Sequence, residues 1–455
     1  MTLQADAAAF VSTLTFDDLP QDAVRVATLG FTDTIAALLA GRVESVTYAT
    51  EKYLAQTTTP GGPVVTRALL GASEYQAEHS ALLDAVAAHA LDYDDYAFAN
   101  HPSSIMVPAI LAAAQIVGAD GPAMITAYVA GYEVWAEVMA REPDHLHSKG
   151  WHPTATFGPL GAAAAVASLL GLSATETSHA LGLATSYGGG VMENFGSMTK
   201  PYHAGRAAEA GMRCCFLAQS GMTASPTAIE GPKGLLAALS PDRNADLTRK
   251  AKFGTFWHIG KSGLNIKKYP TIGASQRIID GILGLSGRGD FDLDAIKAIR
   301  PRVSEKYAML MNNPDPNSAS EAKFSLAYAC AAALRFGTVS LATLSDETLA
   351  DPLLRTLIAK VEVDAVNEYD PDYTIPAPYD MTTVVFNDCT EVQTEKVRRA
   401  TGHTDLPLTS EQLEAKFMDC SRFGRLEDIL AVELFAKLQS LPELININDL
   451  MVVQR

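Results

Sequence analysis

The sequence predicts a mainly α protein with a smaller α+β domain, the helical part being formed by both chain ends. Three observations carry this expectation. From Pro20 to about Lys250, apolar residues recur at helical spacing, with Ala, Gly and Ser frequent on the helix faces. After about Ile266 the texture changes to short runs rich in β-branched residues. After Ser410 the helical pattern returns. At roughly 150 residues per domain, a chain of 455 residues makes two or three domains. The expected division is 1–268 for the helical domain, 269–402 for the α+β domain and 403–455 for a return to the helical one.

Each element has its own signal. Pro20 suits a first helical turn, and Val24, Ala27, Phe31, Ile35 and Leu38 lead to a stop at Gly41. Leu82–Leu91 reads as an apolar helix. Ser103 and Ser104 are expected to cap a helix that starts near Ile105. Ser173-Ala174-Thr175-Glu176 is a capping box, and Ala207–Gln219 continues in the same style. Thr271–Leu285 and Ser320–Arg335 read as helices. Strands are expected at Ile296–Val303, Val361–Val366 and Met381–Phe386, with a turn at Asn387–Thr390 and a return strand Glu391–Val397. Ser410–Asp419 and Leu426–Gln439 close the chain as helices.

Composition bounds the function. Thirty-five Lys and Arg against 52 Asp and Glu give a net charge of −17. That field opposes nonspecific binding to nucleic acid or to an anionic membrane, so neither is expected as a partner. Five cysteines without a CxxC pair make neither a disulfide scaffold nor a Cys-based zinc site. No metal and no cofactor are expected. The stretches 100–124 and 153–175 are nearly free of charge but are interrupted by Pro108, Pro122 and Pro159. They read as buried helices rather than membrane spans. Residues 1–10 lack a basic segment followed by an apolar run, so the expected location is the cytoplasm.

Four segments carry candidate chemistry. His89-Ala90-Leu91-Asp92-Tyr93-Asp94-Asp95-Tyr96, followed by Asn100-His101-Pro102, crowds carboxylates at the end of an apolar helix. Crowding and burial raise a carboxyl pKa and suit a proton carrier; solvated capping aspartates are the plainer reading. In Lys149-Gly150-Trp151-His152-Pro153-Thr154, a stiffly held His precedes an Ala-rich helix, whose dipole lowers the imidazole pKa and favours an anion. Gly188-Gly189-Gly190, then Lys200-Pro201-Tyr202-His203-Ala204-Gly205-Arg206, places three basic residues after a Gly-rich approach and before a helix, as carboxylate binding requires. Lys267-Lys268-Tyr269-Pro270 could bind an anion or supply a desolvated base; surface charge is the plainer reading.

Together these segments resemble the MmgE/PrpD family, which contains 2-methylcitrate dehydratase, cis-aconitate decarboxylase and iminodisuccinate epimerase. The resemblance rests on the segments starting at His89, His101, Gly150, Lys200 and Lys268, joined by Glu230-Gly231. It implies a two-domain fold, a homodimer and a cofactor-free site between the domains. It places Asp92, His101, His152 and Lys268 as catalytic residues, with Asp92 orienting a histidine or relaying a proton. Lys200 then binds substrate, with Tyr96, His203 and Arg206 as further binding candidates. The implied chemistry is proton transfer at carbon next to a carboxylate of a small di- or tricarboxylate. Tyr96 stands where the decarboxylases have Thr, the Asp92–His101 interval is a residue shorter, and Ser104 replaces a common Gly. These departures rank a hydro-lyase first, an epimerase next and a decarboxylase third. A catalytically silent metabolite-binding dimer is the non-enzyme alternative.

Overall fold

The computed structural model describes residues 2–57, 64–69, 71, 73–286, 292–373 and 375–451. The protein is mainly helical with a small mixed sheet. The chain divides into two compact units. One comprises Met1–Ala90, Asp94–Leu264 and Glu414–Arg455; the other comprises Leu91–Tyr93 and Asn265–Leu413.

The first unit is built from α1 (Leu3–Thr13), α2 (Gln21–Gly41), α3 (Ser45–Thr57), the antiparallel strands β1 (Val65–Arg67) and β2 (Glu74–Gln76), α4 (Ala77–His89), α5 (Ser103–Val117), α6 (Gly121–Met139), α7 (Pro153–Leu169), α8 (Ala174–Ala184) and α9 (Thr199–Gln219). Helix α2 is long and apolar enough to cross a membrane, yet most of it is buried in the protein. Its entry follows Pro20 and its end is Gly41, as the apolar spacing predicts. The Ser173–Glu176 capping box opens α8 as predicted. Small residues let the helices approach closely. A Cβ on Gly205 of α9 would lie 2.5 Å from Val86 and 2.8 Å from the Leu82 carbonyl of α4. That contact brings the start of α9 to the end of α4.

Two expectations for this unit need correction. Ser103 and Ser104 lie inside α5 rather than before it, because Pro102 already has helical dihedrals and takes the N-cap position. Ser103 Oγ instead pairs with the Tyr128 hydroxyl at 2.6 Å, and Ser104 Oγ donates to the His101 carbonyl at 3.2 Å. Helix α9 starts eight residues before the predicted Ala207, at Thr199, so Lys200, His203 and Arg206 are on the helix and not in a loop ahead of it. Pro201 suits the first turn, where an N–H would lack a partner.

The second unit has α10 (Gln276–Ser286), β3 (Ile296–Ser304), α11 (Leu326–Phe336), α12 (Pro352–Ile358), β4 (Asp364–Val366), β5 (Met381–Phe386) and β6 (Glu391–Gln393). The sheet order is β4-β3-β5-β6, with β3 parallel to β4 and the other pairs antiparallel. Ile278, Ile282, Ile299, Tyr328, Leu354 and Val384 belong to its core. The predicted hairpin forms, with Thr390 N–H bonded to the Asp388 carboxylate and Cys389 at φ +70°. Both short strands are shorter than expected: β6 ends at Gln393 and β4 starts only at Asp364. Thr394 Oγ1 accepts the Thr382 N–H and stops the β6 ladder, and Val361 makes only an isolated bridge to Ile299. The chain then returns to the first unit through α13 (Ser410–Phe423) and α14 (Asp428–Gln439). There Lys416 reaches the buried Asp33 of α2 at 2.6 Å.

Candidate active site

The loop between α4 and α5 is strained. Asp92, Phe98 and Ala99 all have positive φ, at 53°, 37° and 61°, a region that costs a residue with a Cβ. Packing holds it: Phe98 lies edge-on to Tyr132 and Trp135, and the Ala97 and Asn100 backbones bond each other. Its purpose is visible in what it places. Asp94 and Asp95 turn back against His89, the last residue of α4, and His101 follows just before α5.

Asp94 is buried and accepts from two imidazoles. His89 Nδ1 lies 2.9 Å from its Oδ2, and His101 Nδ1 lies 3.1 Å from the same oxygen. His101 Nδ1 also lies 2.9 Å from the Asp95 carbonyl. A carbonyl only accepts, so His101 carries a proton on Nδ1. Burial works against the charge on Asp94, but the two histidines outweigh it and hold its carboxyl well below the usual range.

His89 is pinned at both nitrogens. Nδ1–H donates to Asp94, and Nε2 accepts from the Lys200 ammonium at 2.9 Å. Burial, with Lys200 and His101 adding to it, pushes the His89 pKa down to about 3, so the ring is neutral at pH 7. Lys200 itself is buried, and its Nζ sits 5.1 Å from the centroid of the Phe195 ring.

His152 caps the N-terminus of α7, as the Trp-His-Pro setting implies. Its Nδ1 lies 3.1 Å from His203 Nδ1 on α9. Its pKa is well below the ordinary value, and the main cause is burial, followed by Lys200, rather than the helix dipole alone. His203 is lowered for the same two reasons. His147 is half-buried, and its pKa is pushed down to about 4 by burial, then by His145 and Lys200. Phe195 collects these groups: the rings of His147 and His152 both meet it edge-on.

Of the residues named from sequence, His101, His152, Lys200 and His203 therefore meet in the first unit, with His89, Asp94, His147 and Phe195 around them. None of these four partners is predicted as a site residue. His89 and Asp94 lie in the acidic segment but carry no distinguishing spacing, and nothing in the sequence marks His147 or Phe195. Tyr96 is half-buried nearby in the chain. Arg206 is exposed and pairs with Glu209 at 3.4 Å. Asp92 belongs to the second unit, where its carboxylate accepts from the buried Lys267 at 2.8 Å. Asp94, two residues on, is the carboxylate that accepts from both His89 and His101. Lys268 is partly exposed, with Nζ 3.9 Å from Asp280 and 5.3 Å from the centroid of the Tyr269 ring.

His89, Asp94 and His101 could each offer a ligand atom to a cation, within 4.8 Å of one another. The donor set fits poorly. Both His89 nitrogens are engaged, and the Lys200 ammonium adds a repelling charge. The arrangement suits a carboxylate better: one buried ammonium, ringed by neutral imidazoles that can lend or take a proton.

Residues 5–248 match the MmgE/PrpD N-terminal domain, and residues 269–433 match the MmgE/PrpD C-terminal domain. The cis-aconitate decarboxylase of Mus musculus is 28% identical over 352 residues, covering 74% of this chain and 70% of that protein. The human cis-aconitate decarboxylase is 28% identical over 351 residues, covering 74% and 71%. The cis-aconitate decarboxylase of Aspergillus terreus is 26% identical over 470 residues, covering 96% and 94%. With both domains matched in order along the chain that carries the His89–His101–His152–Lys200 cluster, the protein belongs to the MmgE/PrpD family.

Proposed function

We propose that this protein is a lyase that moves a proton at carbon next to a carboxylate of a small tricarboxylate, with decarboxylation of cis-aconitate as its leading reaction. The observation that carries the reading is the buried Lys200 ammonium bonded to the neutral His89 ring, with the imidazoles of His101, His152 and His203 around it. The named relatives favour decarboxylation over the dehydration ranked first from sequence, since one of them covers 96% of the chain.

The chemistry follows from charge. Carbon dioxide leaves from a carboxylate on the carbon next to the double bond, and the electron pair of the broken C–C bond shifts through that double bond. Negative charge then builds on the carbon beside a second carboxylate, as an enediolate-like form. A desolvated ammonium stabilises that charge far more than water does, because its partner dipoles need not reorganise. Lys200 is the group proposed for this work. A ring N–H of His152 then delivers one proton to the carbon, which gives itaconate. Lys268 and Asp92 remain candidate acids or bases on their chemistry alone.

The test is proton NMR of the protein in deuterium oxide with cis-aconitate, citrate, 2-methylcitrate and iminodisuccinate. The expected result is itaconate carrying deuterium at the carbon that received the proton. Deuterium exchange without loss of carbon dioxide would make it an epimerase, and gain or loss of water a hydro-lyase. Binding without any turnover or exchange would leave the silent-binder alternative standing and overturn the proposal.

A further inference from the structure

His152 and His203 share a single hydrogen bond, Nδ1 to Nδ1, at 3.1 Å. Such a bond needs one protonated and one bare nitrogen, so the pair has two equivalent arrangements with the bond reversed. Burial and Lys200 keep both rings neutral at pH 7, which the bond requires. Neither Nε2 has a hydrogen-bond partner among the described residues. The two rings differ in access to water: His152 is 1% exposed and His203 is 9% exposed. Gly190 serves both. Its carbonyl accepts the His152 backbone N–H at 2.9 Å, and a Cβ there would lie 3.1 Å from His203 Nδ1. Only a residue without a side chain lets the second ring come this close, at a backbone φ of +148° that also favours glycine.

We propose that His152 and His203 form a two-ring proton relay, in which His203 exchanges with water and His152 with the substrate carbon. The inference rests on the proton-transfer reading above. In the delivering state His203 holds its proton on Nδ1 and His152 on Nε2. His152 Nε2–H gives its proton to the carbanion, His203 Nδ1–H passes its proton to His152 Nδ1, and His203 Nε2 takes one from water. Two N–H bonds and one O–H bond break, one C–H and two N–H bonds form, the water is left as hydroxide, and neither ring keeps a charge. The pair is left in the reversed arrangement, with a bare His152 Nε2. That state is a base, and running the same steps backwards carries a proton from carbon to hydroxide. A further delivery needs the reverse passage first: a proton enters at His152 Nε2 from carbon or water, His152 Nδ1–H returns its proton to His203 Nδ1, and His203 Nε2–H gives its proton to hydroxide. His203 is here a relay residue that need not touch the substrate.

The test uses His203→Gln in the full chain. Glutamine keeps one hydrogen bond to His152 Nδ1 but cannot pass a proton on. With cis-aconitate as substrate, kcat is expected to fall about tenfold or more while KM stays within about twofold. Imidazole added to the buffer is expected to restore much of the lost kcat, as a soluble proton carrier. A variant with nearly wild-type kcat overturns the relay, and so does a loss of kcat that imidazole does not restore while circular dichroism matches the wild type. A second measurement needs no substrate. In wild-type protein labelled with nitrogen-15 at histidine, a scalar coupling should join the two Nδ1 atoms across the shared proton and vanish in His203→Gln. Its absence in the wild type overturns the relay whatever the reaction. Coupling present with no change in cis-aconitate overturns the substrate reading instead.

Discussion

Lys200 places a positive charge where almost no water reaches, and together with burial it lowers the pKa of His89, His152 and His203. Its direct partner is the lone pair of His89, which exists at Nε2 only because Asp94 claims the Nδ1 proton. One carboxylate thereby sets the tautomers of two imidazoles, His89 and His101, and indirectly directs the ammonium. Asp94→Asn is the sharp probe of that arrangement. An amide oxygen can accept from one ring, but its NH2 faces the other with a second donor and forces a tautomer change. The expected outcome is a fall in kcat of about 10²-fold or more, with a much smaller change in KM, in steady-state assays on cis-aconitate. Activity within about threefold of wild type would show that the tautomers do not matter.

Among elements, α4 is the one on which both halves of the first unit depend. Its C-terminal residue is His89, and its middle carries Asp84, whose buried carboxylate accepts the Leu69 N–H at 2.9 Å. Burial pushes the Asp84 pKa from 3.8 up to about 8. The folded protein thus binds this proton more tightly than the unfolded chain. Its stabilising contribution is complete below the unfolded value and is lost as pH rises through about 8. Asp84→Asn removes that dependence while its amide oxygen still accepts the Leu69 N–H. Relative to wild type, the variant should gain stability between pH 5 and 8, by up to about 1.4 kcal/mol per pH unit. Urea unfolding midpoints across that range check this, and a difference that does not change with pH refutes it. Helix α9 shows how an element's start decides its chemistry. Beginning at Thr199, it puts Lys200 and His203 one turn apart on the same face, whereas Arg206 is turned to solvent.

Across the molecule, the chain leaves the helical unit and later returns to it, and the return is tied by charge. Lys416 of α13 ends against Asp33 of α2, both buried, and Asp95 lies close enough to feel both. Burial, then the proximity of Asp33, pushes the Asp95 carboxyl well above its usual range, while Lys416 works the other way. Lys416→Met leaves Asp33 without its 2.6 Å partner in the core. A loss of about 3–5 kcal/mol is expected from the urea midpoint, partly recovered in the double variant with Asp33→Leu. A loss below about 1 kcal/mol would mean that the tie contributes little.

Local signals in the sequence carried much of this structure. Helical spacing and a proline entry predicted α2, the capping box predicted α8, and β-branched runs around a polar turn predicted the β5–β6 hairpin, because each depends on neighbours within a few residues. The histidines and Lys200 were readable as candidates from residue type and order. Their partners were not. That Asp94 holds two imidazoles, that Lys267 is more deeply buried than Lys268, and that His203 joins His152 all turn on packing and on distances near 3 Å that residue order does not report. Periodicity reports which face a residue occupies, and a reversed loop with three positive-φ residues breaks even that relation. Hydrogen bonds and burial, which set the tautomers and pKa shifts on which the chemistry depends, are properties of the packed molecule alone.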